Sequence, residues 1–193
     1  MKLNRLIVLL ALGLALTQAT AAPAPDIVKK LAQSYVLSHP DATSRPTPQT
    51  PEQVYESYFF IGMTHPHGGI MNFPDIETAA YVQGQAYWRE HPFERDAIMA
   101  GFGFVRVDAE GSWARGFELS SFVPDERGAE RWWLDSFGGV AWRELGPAHQ
   151  DPSPNVGKVR VRIAGYLGLP GPSGHLGQYR RRVLATSLTF LKD

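Results

Sequence analysis

The sequence predicts an α+β fold in which N-terminal helices precede a curled antiparallel sheet or small barrel. Three observations carry that expectation. Apolar residues recur with a helical period as far as residue 91, and from Ile98 onward the period falls to two. Clusters such as "DAEG", "PDERG" and "GPAHQDPSPNVG" cut the second region into runs of strand length. The chain has no cysteine, so disulfides and thiolate metal sites are excluded; with 44% apolar and 11% aromatic residues it can fill an ordinary core instead.

The elements follow in order. Residues 1–22, "MKLNRLIVLLALGLALTQATAA", read as a secretory signal. Lys2 and Arg5 lead an apolar run, Leu6 to Leu16, that is too short to span a bilayer, and Ala19 and Ala21 stand at −3 and −1 of an A-x-A site. Cleavage is expected after Ala21, since a cut after Ala22 would leave Pro23 first. A soluble periplasmic or secreted protein follows, without membrane insertion and without a cysteine-linked lipid anchor.

In "DIVKKLAQSYVLSH" (26–39) Ile27, Leu31 and Tyr35 form a helical stripe with Val28 and Val36 beside it, and Asp26 is placed as its cap. "PDATSRPTPQTP" holds four prolines in a dozen residues and reads as an extended linker that leaves this helix loosely attached. A second helix starts at Thr50 as N-cap, with Pro51 at its first position and Gln53 completing a capping box. Residues 75–91 read as a third, capped by Asp75 and stopped by Pro92. The expected domains are a signal peptide over 1–21, the helix and proline-rich linker over 22–51, and a single α+β domain over 52–193.

Five strand runs come next: "IMAGFGFVRVD", "SWARGFELSSFV", "RWWLDSFGGVAW", "VRVRIAGYL" and "RVLATSLTFL". In the second, Trp113, Phe117, Leu119 and Val123 share one face. In the last two, Val159, Val161 and Ile163 are expected to point into the core opposite Leu184, Leu188 and Phe190, with Arg160 and Arg162 outside. A slip of one residue would bury the guanidinium groups and expose the valines.

Charge is unevenly spread. The formal total is zero, yet residues 41–154 carry 17 acidic and 8 basic side chains, and residues 155–193 carry seven basic ones and Asp193 alone. The terminal hairpin, with Arg160, Arg162, Arg180, Arg181 and Arg182, is a candidate surface for an anionic protein or polysaccharide; the plainer reading pairs these arginines with the chain's own acidic body. Loss of Lys2 and Arg5 would leave a net charge of −2 (17 basic, 19 acidic). An exported, slightly acidic chain argues against nucleic acid as partner.

Other candidates each have a plain alternative. His65 and His67 stand two apart, as metal ligands can in an extended segment, but a zinc centre needs three or four, so no metal or cofactor is expected and loop hydrogen bonding is the simpler role. Glu90, His91, Glu94 and Asp96 could do acid–base work if buried; as a helix end and loop they are solvated charge. No nucleophile elbow, zinc-protease or phosphate-loop motif occurs, and no catalytic residue is assigned. Trp132, Trp133, Phe137 and Trp142 could form a stacking platform or fill the core, and adjacent Trp132 and Trp133 must face opposite ways in a strand.

The loop "PGPSGHLGQYRRR" (170–182) joins the last two runs. A V-x-V-x-I-x-G strand, this Gly-rich loop with "GHLGQY", and a closing strand resemble the carboxy-terminal part of uncharacterised exported bacterial proteins, over about residues 156–191. The resemblance rests on Gly165, Gly174, His175, Leu176, Gly177 and Tyr179. It implies an oligonucleotide/oligosaccharide-binding (OB)-like barrel, and no activity. His175 or Tyr179 would hydrogen-bond the turn shut or touch a ligand. The functional expectation is a non-enzymatic binding module whose basic terminal hairpin, with Trp132, His175 and Tyr179, meets an anionic partner. The alternatives are a metal-dependent or acid–base hydrolase using His65, His67 and Asp75 or Glu77, and a periplasmic inhibitor or immunity-type protein.

Overall fold

The structure, a computed structural model, describes residues 25–66, 68–69, 72–116, 119–136 and 158–191. Among them four helices precede five strands: α1 (Asp26–Ser38), α2 (Pro51–Thr64), α3 (Asp75–Glu90), α4 (Arg95–Gly101), then β1 (Phe104–Gly116), β2 (Leu119–Pro124), β3 (Trp132–Ser136), β4 (Val159–Gly168) and β5 (Arg181–Phe190). The expected signal peptide lies outside the described residues. No described helix is long and apolar enough to cross a membrane. The chain divides at Phe102/Gly103 into two compact units, a different division from the expected 22–51 and 52–193.

The helical unit explains why that division moved. The stripe of α1 is turned by one residue from expectation: Val28 and Ala32 are fully buried, while Ile27 is 48% exposed. The proline-rich segment is also fastened. Thr43 N–H and Oγ1–H both donate to Asp75 Oδ2 (3.1 and 3.0 Å), Arg45 N–H donates to Glu77 Oε1 (2.9 Å), and Ile76 N–H donates to Thr43 O (3.1 Å). Prolines remove donors, but the residues between them keep theirs. The first helix is therefore packed and strapped, not loosely attached. Neither Asp26 nor Asp75 is a side-chain cap; Pro25 and Pro74 hold the N-cap positions and both aspartates lie in the first turn, where the helix dipole favours them. The capping box of α2 forms as expected, with Thr50 Oγ1 accepting from Gln53 N–H (3.3 Å) and Gln53 Oε1 from Thr50 N–H (3.0 Å).

Two glycines set the spacing of α2 and α3. A Cβ on Gly62 would strike the Tyr81 carbonyl oxygen, and one on Gly84 would strike that of Phe59. The helices touch backbone to backbone there, with Tyr55, Phe59 and Met63 of α2 fully buried alongside.

The strands close into a barrel in the order β1-β2-β3-β5-β4 and back to β1. All pairs are antiparallel except β3 with β5, which run parallel, so the sheet is mixed. β1 begins at Phe104, since Ile98 and Met99 belong to α4 and are buried there. "DAEG" is no turn: β1 runs through it as one 13-residue strand. The second expected run is two strands joined after Gly116, with Trp113 opposite Phe122. Trp113 and Phe122 are buried and Val123 is 38% exposed, so the face assigned to Trp113, Phe117, Leu119 and Val123 does not exist as one. Phe117 lies outside the described residues.

In the terminal pair, Val161 and Ile163 are fully buried, Val159 packs partly against the same core, and Arg160 and Arg162 stand outside. The opposing strand corrects the expectation. Ala164 pairs with Ser187, but Gly165 pairs with Ala185, leaving Thr186 as an extra residue. Thr186 Oγ1 donates to Ala164 O (3.0 Å), pinning this bulge. Parity changes across it. Val183 and Ala185 enter the core before the bulge and Leu188 and Phe190 after it, so Leu184 lies off the face it was expected to share.

Candidate functional site

Arg160, Arg162, Arg181 and Arg182 each have particular neighbours within the barrel unit. On the outer face of β4, Arg160 pairs with Asp125 (2.5 Å), and Arg162 grips Asp108 through two parallel bonds, Nε to Oδ1 (2.8 Å) and an η nitrogen to Oδ2 (3.0 Å). The register sets the second pair, since Arg162 and Asp108 lie on adjacent strands. Arg162 holds the Asp108 carboxyl below the ordinary aspartate range. Arg181 pairs with Glu130 at 2.8 Å. Arg182 lies 5.6 Å over the Phe104 ring, and burial pushes its pKa down against the pull of Asp135. Much of the basic excess of the hairpin is thus met by acids of the same barrel, as the plainer reading of the sequence had it.

Arg131 and Arg180, which lie on either side of Tyr179, make no ion pair among the described residues. Arg180 is exposed beside the β4–β5 loop. Arg131, just before β3, lies 5.3 Å over the Tyr179 ring. Tyr179 is buried and meets Trp133 edge-on at 5.3 Å. Trp132 points the other way, into the barrel core, where its Nε1–H has no partner among the described residues. Trp133 therefore takes the outward place considered for Trp132. Phe137 and Trp142 lie outside the described residues.

The loop is built as a small hairpin. Gly171 N–H donates to Arg180 O (2.6 Å), Ser173 N–H to Tyr179 O (2.8 Å) and Tyr179 N–H to Ser173 O (3.1 Å). A 3-10 turn, His175–Gly177, forms the tip. Gly174 has φ 71°, and a Cβ there would press on the Trp133 ring at 2.5 Å, so glycine meets both a backbone and a space requirement. Tyr179 closes the loop; His175 is half-buried at its tip. Leu176 has φ 54°, ψ 21° and is 76% exposed. Sequence reasoning missed Arg131, left open which of Trp132 and Trp133 faces out, and gave Leu176 no role of its own, because a strained backbone and a stack between distant residues leave no mark in residue spacing.

The helical-unit histidines have structural partners. His39, His65 and His91 stand at the C-caps of α1, α2 and α3. In each, Nδ1–H donates to the carbonyl four residues back: Tyr35 (3.1 Å), Ile61 (2.9 Å) and Tyr87 (3.1 Å). His91 also stacks on Tyr87 at 4.1 Å, whose hydroxyl donates to Glu94 (2.7 Å); burial first, then Glu94, pushes the Tyr87 pKa up to about 12. His67 lies outside the described residues. No group of three metal-ligating side chains occurs among the described residues. Glu77 is buried with Oε1 holding Arg45 N–H, and Asp75 holds Thr43, so neither is brought to His65 by these bonds. Comparison with protein-family models, with curated proteins and with solved structures gives no match for this chain.

Proposed function

We propose that this chain is an exported, non-enzymatic binding module that meets an anionic partner through the outer face of β3 and the β4–β5 loop. One observation carries the reading: Arg160, Arg162 and Arg181 are matched by acids, while Arg131 and Arg180, flanking the Trp133–Tyr179 pair, are not matched among the described residues. The binding surface is therefore smaller than the whole basic hairpin and shifted toward β3. A closed five-stranded barrel supports the OB-like part of the reading, since barrels of that kind bind ligands through the faces of their second and third strands and the loops between strands one and two and four and five. The apolar run before Ala21 supports export.

Heparin chromatography tests this. Arg131→Gln with Arg180→Gln should elute at clearly lower salt, with the slope of log affinity against log salt falling by about one per lost contact. Arg160→Gln with Arg162→Gln should elute like the parent. An unretained parent, or a shift confined to the second pair, sinks the assignment.

A further inference from the structure

We propose that the β4–β5 loop is a preformed apolar plug, with Leu176 as its anchor, that docks into an apolar pocket with an acidic rim on another protein. The proposal rests on the binding face described above and names its partner class.

Leu176 sits in the left-handed region, where its own Cβ crowds the following carbonyl; glycine or asparagine would fit there with less strain. Such strain persists where surrounding structure or function demands it. Burial does not compensate it, because the residue is 76% exposed. The fold thus gains little from leucine at this place. Its neighbours extend the same surface: Leu169 is 60% exposed, Pro170 and Pro172 are exposed, and residues 169–178 include no Asp, Glu, Lys or Arg. Beneath the tip, the ladder between Gly171–Ser173 and Tyr179–Arg180 and the close approach of Gly174 to Trp133 brace the loop.

A side chain held out in one position loses little freedom on docking, which favours a shaped acceptor. A bilayer is fluid and draws no advantage from that fixed geometry. Arg131 and Arg180 beside the plug call for acids around the acceptor's mouth. Together these features select a protein pocket, apolar within and acidic at the edge.

The test uses the full chain in its source cells with a photo-reactive residue at position 176 and, as control, at exposed Phe93. The expected result is one protein crosslinked from 176 and not from 93. Its crosslinked peptide should map to apolar residues flanked by Asp or Glu. Made separately and titrated, that protein should bind Leu176→Gly and Leu176→Asn at least tenfold more weakly than the parent, while neither variant melts lower. Crosslinks to lipid, to a second copy of this chain or to nothing overturn the plug, as do variants that bind within twofold of the parent. If heparin retention still depends on Arg131 and Arg180 in that case, the binding face stands and only the plug falls. If it does not, both fall.

Discussion

The helical unit and the barrel treat their chemically versatile side chains in opposite ways. In the helical unit, His39, His65 and His91 close helix ends, and Asp75 and Glu77 hold a proline-rich strap. The residues that look most catalytic in the sequence there have structural work. In the barrel, Asp125 just after β2 matches Arg160 and Asp108 on the adjacent strand β1 matches Arg162, and what stands out instead is a leucine with no reactive group. A side chain's chemistry names what it could do, and its neighbours decide whether it is available.

The comparison also separates how the two units cohere, and the largest effect should come where backbones touch. Gly84→Val in the full chain should remove the backbone contact of α2 with α3. The added atoms meet the Phe59 carbonyl, which cannot swing aside as a side chain end can, so roughly 3 kcal/mol or more of stability should be lost in urea titrations. A loss below about 1 kcal/mol would show that the helices slide apart cheaply. In the barrel the interior side chains carry the load. Ile163→Ala, at a fully buried position, should cost about 2–5 kcal/mol by the same titration. An unchanged midpoint would mean that the barrel interior is not the core that holds the strands.

The smallest effect concerns the strap. The Thr43 backbone and hydroxyl donors hold the exposed Asp75 carboxyl below the ordinary aspartate pKa of about 3.9. A depressed carboxylate stabilises fully above its unfolded value, and that contribution fades as pH falls through the folded one. The stability difference between parent and Asp75→Asn should therefore be constant near neutrality and shrink only below about pH 4. A difference that instead grows on acidification would mean that Thr43 does not bond the ionised form.

How legible was this in the sequence? The α+β class, the Thr50 capping box and the inward set Val161 and Ile163 follow from local periods and capping chemistry, which depend on neighbours within a few residues. The histidine C-caps were missed, with His65 read beside His67 in a loop and His91 beside its acidic neighbours, although "YVLSH", "IGMTH" and "YWREH" each end a helical pattern on histidine. The hairpin hidden in "SWARGFELSSFV" was missed because an alternating pattern looks alike in one strand and across a turn. The fate of Leu184 was missed because one extra residue, Thr186, reverses parity without changing composition.

By itself, then, the sequence determined the order of helix and strand, the lack of any disulfide, and which terminal arginines stand outside, because each depends on residue type or on spacing along one strand. Only the tertiary structure decided which of those arginines are matched, which tryptophan of the 132–133 pair faces out, and that Leu176 is held exposed in a strained conformation. Those outcomes depend on which strands become neighbours and in what register. Pairing residues 54 positions apart, as Asp108 and Arg162 are, is a property of the closed barrel, and no local pattern contains it.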